Sequence, residues 1–192
     1  MSYFGMLMLK STLTGKKLSP ILVAGGVLLA LTSLHSRKEE QPQDAMMRQF
    51  PTADVRRESL YLSQADQARL SRSLGERIES RLVSMYLAES EGKLLGVGLF
   101  DTHVVRTKTE TLFIAFKPDG VVHGVEVIAF HEPTQYRAPE RWLKLLIGKA
   151  PGPELARDLP AISGATMTVQ AVKTASRKTR MLFDLYRDRT GP

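Results

Sequence analysis

Between residues 81 and 130 the hydrophobic period changes from helical to alternating, and this stretch limits the possible folds more than any other. Residues 81–89 read as a strand, Ser90-Glu91-Gly92 as a hairpin turn, and residues 93–105 as the returning strand. Residues 109–117 and 121–130 repeat the arrangement around Pro118-Asp119-Gly120. The runs Thr111-Leu112-Phe113-Ile114-Ala115-Phe116 and Val121-Val122-His123-Gly124-Val125-Glu126-Val127-Ile128 are rich in β-branched and aromatic residues, as a half-buried antiparallel sheet requires. Gly96 and Gly98 predict close packing or a bulge in the second strand. Asp101, His103, Arg106, Lys108 and Glu110 read as a solvated connection between the two hairpins, with Arg106 or Lys108 placed to meet a phosphate.

Helical patterns flank the sheet. Ser63 is an expected N-cap for a helix that carries Ala65, Ala68, Leu70 and Leu74 and stops at Gly75, with Leu60 and Tyr61 positioned to staple its entry. Residues 139–149 read as a second helix bearing Trp142, Leu143, Leu145, Leu146 and Ile147. A third starts near Thr166 and runs to about Arg187. Its Val169, Val172, Ala175, Leu182 and Tyr186 face the sheet, and Lys173, Arg177, Lys178 and Arg180 are expected to face water or an acidic partner. Four strands with flanking helices make the expected class α+β, an antiparallel sheet flanked by helices.

The N-terminal part has a different character. Residues 1–17 form a short basic head with Lys10, Lys16 and Lys17 and no acid. Residues 18–34 then carry no charge, and as a helix they would span roughly 26 Å, near the hydrocarbon thickness of a bilayer. The expectation is an N-terminal transmembrane helix over 18–35, an anchor or uncleaved signal, favoured because no clean A-x-A site precedes Arg37, with a cleaved signal peptide as the alternative. Residues 36–58, with Pro42 and Pro51, read as a linker that leads to a domain over 59–188. Flanking positive charges nearly balance and do not set the orientation.

The 192-residue chain has a formal net charge of +7 and no cysteine. Without cysteine there is no disulfide, thiolate-ligated cluster or cysteine nucleophile, so redox chemistry would have to come from an organic cofactor or a partner. Nucleic acid is not an expected partner, since the basic residues are dispersed and no zinc-finger, homeodomain or RNP pattern is present. No metal is expected either: His131, Glu132 and Glu126 lack a second His at ligand spacing, and neighbouring strand positions face opposite ways.

The stretch that points to chemistry is Ala161-Ile162-Ser163-Gly164-Ala165-Thr166-Met167-Thr168-Val169. Small residues and hydroxyls stand immediately before the longest helical pattern, where free N–H groups and the helix dipole favour an anion. The plainer explanation of the same residues is a Ser or Thr helix cap.

Ser163-Gly164-Ala165-Thr166, followed by Met167-Thr168 and an amphipathic helix, resembles the flavinylation motif of the FMN-binding domain family. That family includes the C subunit of the sodium-translocating NADH:quinone reductase and the G subunit of the Rnf electron-transport complex. The resemblance implies FMN joined by a phosphoester to Thr166. Ser163, Gly164 and Ala165 would shape the turn, and Thr168 would give a further hydrogen bond to the phosphate. His131-Glu132-Pro133-Thr134 resembles the family's His-x-Glu-Thr, with the Glu displaced by one place, and implies that His131, Glu132 and Thr134 line the flavin pocket. Pro160 stands where the family usually has an acid, and the nearest acid is Asp158. Trp142 and Phe130 are either core aromatics or ring-packing residues.

The resemblance further implies a single-pass protein of the cytoplasmic (inner) membrane with its FMN domain on the extracytoplasmic, periplasmic side. An FMN transferase and membrane redox proteins would be its partners. The expected role is an electron-transfer flavoprotein and not an independent enzyme, since the isoalloxazine carries the chemistry and no nucleophile–base set is visible. A flavin-dependent reductase with noncovalent FMN and a non-redox adaptor are the alternatives.

Overall fold

The computed structural model describes residues 42–150, 155–156 and 158–191. Five strands form one antiparallel sheet in sequence order: β1 (Asp54–Tyr61), β2 (Leu82–Ser90), β3 (Lys93–Val104), β4 (Thr109–Phe116) and β5 (Val122–Phe130). Four helices accompany it: α1 (Pro42–Gln49), α2 (Gln64–Leu74), the single turn α3 (Glu140–Leu143) and the 25-residue α4 (Thr166–Thr190). The class is α+β. Among the described residues no helix is long and apolar enough to cross a membrane, and the expected anchor over 18–35 lies outside them.

Strand pleating assigns the two faces. On one face Val97 and Leu99 of β3, Leu112, Ile114 and Phe116 of β4, and Met85 and Leu87 of β2 bury against Val169, Val172, Ala175, Leu182 and Phe183 of α4 and Leu70 of α2. On the other, Phe113, Ala115, Tyr86 and Ala88 pack with Ala45, Met46 and Phe50. The sheet is therefore the middle layer, which explains why β4 reads as an almost continuous apolar run.

That second layer corrects the expected linker. Part of the stretch read as a polar spacer is α1, followed by most of the edge strand β1, so the sheet has five strands where four were expected. Gly96, Gly98 and Gly124 let α1 approach the sheet: a Cβ at Gly98 would overlap the Met46 sulfur and the Phe113 ring, and one at Gly124 would overlap Gln49. With only Ala45 and Met46 buried, the eight-residue helix is too short and too polar to show a readable period. Gly98→Ala is expected to cost about 1–3 kcal/mol by overpacking this contact. Chemical denaturation of the wild type and the variant checks it, and equal midpoints would mean that α1 yields freely.

α2 begins as its sequence indicates. Ser63 accepts from the Asp66 N–H, Asp66 accepts from the Ser63 N–H, and Gly75 closes the helix at φ 72°. The expected helix over 139–149 is shorter. It ends with a 3-10 turn at Lys144–Leu146, because Ile147 turns extended and Gly148 and Lys149 exchange backbone hydrogen bonds with Val122 at the sheet edge.

Candidate functional site

The approach to α4 is fixed before the helix begins. Trp142 of α3 buries its ring and donates Nε1–H to the Pro160 carbonyl at 2.8 Å, and Lys173 donates to the Leu159 carbonyl at 3.0 Å. Ala165 N–H then closes a turn onto the Ile162 carbonyl at 3.2 Å. Within that turn Gly164 takes φ 78°, a conformation that L side chains rarely adopt, with no atom near where a Cβ would be. Trp142 is thus a core aromatic that pins the motif. Pro160, in the place of the family's acid, contributes a backbone carbonyl, and Asp158 is exposed.

The N-terminus of α4 has no side-chain cap. Its N-cap position is Ala165, and none of Ser163, Thr166 or Thr168 accepts a hydrogen bond from the first turn. The Thr166, Met167 and Thr168 N–H groups of that turn consequently have no intrahelical acceptor, and the positive end of a seven-turn helix faces outward. Ser163, Gly164 and Thr166 are exposed there, while Ala165 is buried.

Two hollows meet at Thr166. The smaller, about 180 Å³, is lined by Arg106, Tyr136 and residues 164–168. Arg106 lies over the Tyr136 ring, its guanidinium carbon 4.5 Å from the centroid, which brings a cation to the helix terminus. The larger, about 420 Å³, runs between the end of β3 (Asp101, His103, Val104), with Val105 just beyond it, and the α4 face of Met167, Gln170, Ala171 and Thr174. Val104 and Met167, 60% and 53% exposed, give this cleft apolar walls.

The other expected site residues have specific positions. Glu132 is buried and its Oε1 accepts from the backbone N–H groups of Arg106, Thr107 and Lys108 at 3.2, 2.6 and 2.8 Å. The Thr107 amide first, then those of Lys108 and Arg106, hold its carboxyl below the usual carboxylate range. Glu132 therefore shapes the turn that presents Arg106. His131 is exposed, and its Nδ1 lies 3.0 Å from the Thr109 hydroxyl. Thr134 is exposed at the start of a 3-10 turn, and neither it nor His131 lines the two hollows at Thr166. Phe130 is half-buried.

The Thr168 hydroxyl is engaged within the fold. Thr168 is 1% exposed and its hydroxyl donates to the Tyr136 carbonyl at 2.5 Å, tying α4 to the segment that supports Arg106. Thr168→Val would bury that carbonyl without its donor, with an expected loss of about 1–2 kcal/mol. Urea unfolding checks this, and an unchanged midpoint would show that the carbonyl finds another partner.

Of the residues read as a solvated connection, Arg106 and Lys108 are exposed in the turn between β3 and β4, whereas Asp101, His103 and Glu110 lie on the strands and form a charge cluster. Asp101 and His103 continue the inward face of β3, and Glu110 of β4 stands opposite His103 in the register. His103 Nδ1 is 3.0 Å from Asp101 Oδ2 and its Nε2 is 3.1 Å from Glu110 Oε2, while Lys178 Nζ reaches Asp101 Oδ1 at 2.6 Å. Burial alone would lower the His103 pKa, but the two carboxylates outweigh it and push it up to about 9. Burial likewise opposes the Asp101 charge, yet His103 and Lys178 hold that carboxyl below its usual range.

The expected water-facing row of α4 is corrected at the same place. Lys178 is drawn in to Asp101, and Arg180, 3% exposed, is bound by the Gly120 carbonyl and Asp184. Arg177 donates to the Ser73 carbonyl at the end of α2. A hydrophobicity period treats every Lys and Arg as outward, whereas these three reach carbonyl and carboxylate acceptors on neighbouring elements.

The donor set fits a flavin phosphate: free N–H groups, a backbone with no Cβ at Gly164, and a nearby guanidinium. The volume of the adjoining cleft lies in the range of cofactor sites. No curated protein and no solved structure matches the chain. The family model described as FMN-binding domain matches residues 107–180, from the turn beside Arg106 through the motif into α4. That match covers part of the chain and supports FMN as the cofactor.

Proposed function

We propose that the protein is a membrane-anchored extracytoplasmic electron carrier that holds FMN covalently through a phosphoester to Thr166. The uncapped N-terminus of α4, with an exposed Thr166 hydroxyl on its first residue, carries this reading. A helix that needed the motif only as a cap would use one of its hydroxyls on the first-turn amides, and none does.

Thr166 is the attachment oxygen. The Thr166, Met167 and Thr168 amides would hold the phosphate oxygens, and Arg106, positioned by Glu132 and Tyr136, would supply the counter-charge. Ser163 and Gly164 leave the backbone open to a bulky group, and Val104 and Met167 of the cleft between β3 and α4 would provide apolar walls for the ring. FMN, when bound, supplies one- or two-electron transfer. The chain anchors it, keeps part of it accessible and sets its electrostatic surroundings.

The uncharged run over 18–34 supports the anchor, and attachment outside the cytoplasm by an FMN transferase follows from the family resemblance. Membrane redox proteins would then donate and accept the electrons. The test is in-gel flavin fluorescence of the full-length protein after denaturing electrophoresis, with and without a co-expressed extracytoplasmic FMN transferase. A fluorescent band that depends on the transferase is the expected result. Flavin that leaves on denaturation would indicate the noncovalent reductase, and no flavin in either fraction, beside a labelled control protein, would overturn the reading.

A further inference from the structure

We propose that His103 is the residue through which this chain sets the reduction potential of its flavin, acting as a fixed positive charge in the wall of the cleft beside Thr166. The inference rests on the reading above, in that it places the flavin ring in that cleft. Asp101 and His103 precede the segment matched by the family model, so the match itself assigns them nothing.

The geometry separates this role from ordinary core packing. His103 lines the cleft that also contains Thr166, and its side chain is 15% exposed toward it. Both ring nitrogens are engaged by carboxylates, so the imidazole cannot turn to offer an N–H to a ligand and acts through its charge. Glu110 lies behind it, 0% exposed, with Oε1 buried and lacking any hydrogen-bond partner. Removing the imidazolium would therefore expose the ring site to an uncompensated carboxylate in a low-dielectric interior.

Charges from each neighbouring element are identifiable. Asp101 of β3, Glu110 of β4 and Lys178 of α4 surround His103, and Glu76, beyond α2, lies 4.0 Å from Lys178 at the cleft edge. With His103 protonated the inner four, Asp101, Glu110, Lys178 and His103, sum to zero. With it neutral they sum to −1, and an anionic wall opposes the negative charge that a flavin gains on reduction.

The experiment is a spectroelectrochemical titration of the transferase-labelled full-length protein in detergent, wild type beside His103→Gln, from pH 6 to 10. The wild-type midpoint should lie above that of the variant at neutral pH, and the two should converge as pH rises past 9, where His103 loses its proton. Superimposed curves at every pH, with both proteins labelled, would overturn the inference and leave the covalent flavin standing. A wild type that carries no flavin overturns both. If the variant does not fold, the wild type alone decides: an added inflection near pH 9 supports the role, and its absence refutes it.

Discussion

Replacing Thr166 by Ala is expected to abolish in-gel flavin fluorescence while leaving the fold intact. The two halves of this result have separate physical grounds. Thr166 is exposed, its hydroxyl bonds no neighbour, and the N-cap position belongs to Ala165, so no cap is lost. Ala has a higher helix propensity than Thr, by about 0.5 kcal/mol, so the variant should be as stable as the wild type or slightly more so. The phosphoester, however, has no other oxygen at that point of the helix. Ser163 lies in the turn that precedes the helix, and the Thr168 hydroxyl is buried against the Tyr136 carbonyl. Thr166→Ser keeps a hydroxyl at the same position and should retain the band. A fluorescent Thr166→Ala protein would move the attachment elsewhere, with Ser163 the next residue to replace.

The second large effect is on stability against pH. The His103 pKa is raised from 6.5 to about 9 on folding, so the folded state binds its proton more tightly than the unfolded chain. The associated stability is fully present below pH 6.5 and is lost as pH rises through 9. A shift of this size corresponds to about 3 kcal/mol, at about 1.4 kcal/mol per pKa unit. Asp101 acts in a different window. Its carboxyl is held below the usual range, so its contribution is present above that range and disappears only as the solution becomes strongly acidic. Urea unfolding at pH 6, 8 and 10 should therefore show a falling midpoint, and His103→Gln should flatten the slope. A wild-type midpoint constant from pH 6 to 10 would mean that the cluster stays hydrated and its charges are screened.

These effects depend on features of different visibility. The hairpins were legible because alternation and turn chemistry are local: Glu91-Gly92, after Ser90 at the end of β2, lead into β3, and Pro118-Asp119-Gly120 fall between β4 and β5. The capping box of α2 and the start of α4 at Thr166 were legible for the same reason. α1 was not, because a helix with two buried residues has no readable period, although Gly96 and Gly98 already indicated close approach from something. The charge cluster left a weaker trace. Asp101 and His103 continue the odd-numbered face of Val97 and Leu99, and Glu110 continues the even-numbered face of Leu112 and Ile114, but a run of polar residues between apolar strands resembles a loop.

The sequence by itself determined the antiparallel sheet, the long final helix and the motif at its head, since each follows from a periodicity or a backbone preference within a few residues. Tertiary structure alone decided what stands around that motif. Arg106 reaches Tyr136 from 30 residues away because Glu132 gathers the turn amides, and Lys178 and His103 meet at Asp101 only when α4 lies across β3. Long-range pairing of charges depends on which faces the packed elements turn to one another, and no local pattern encodes that.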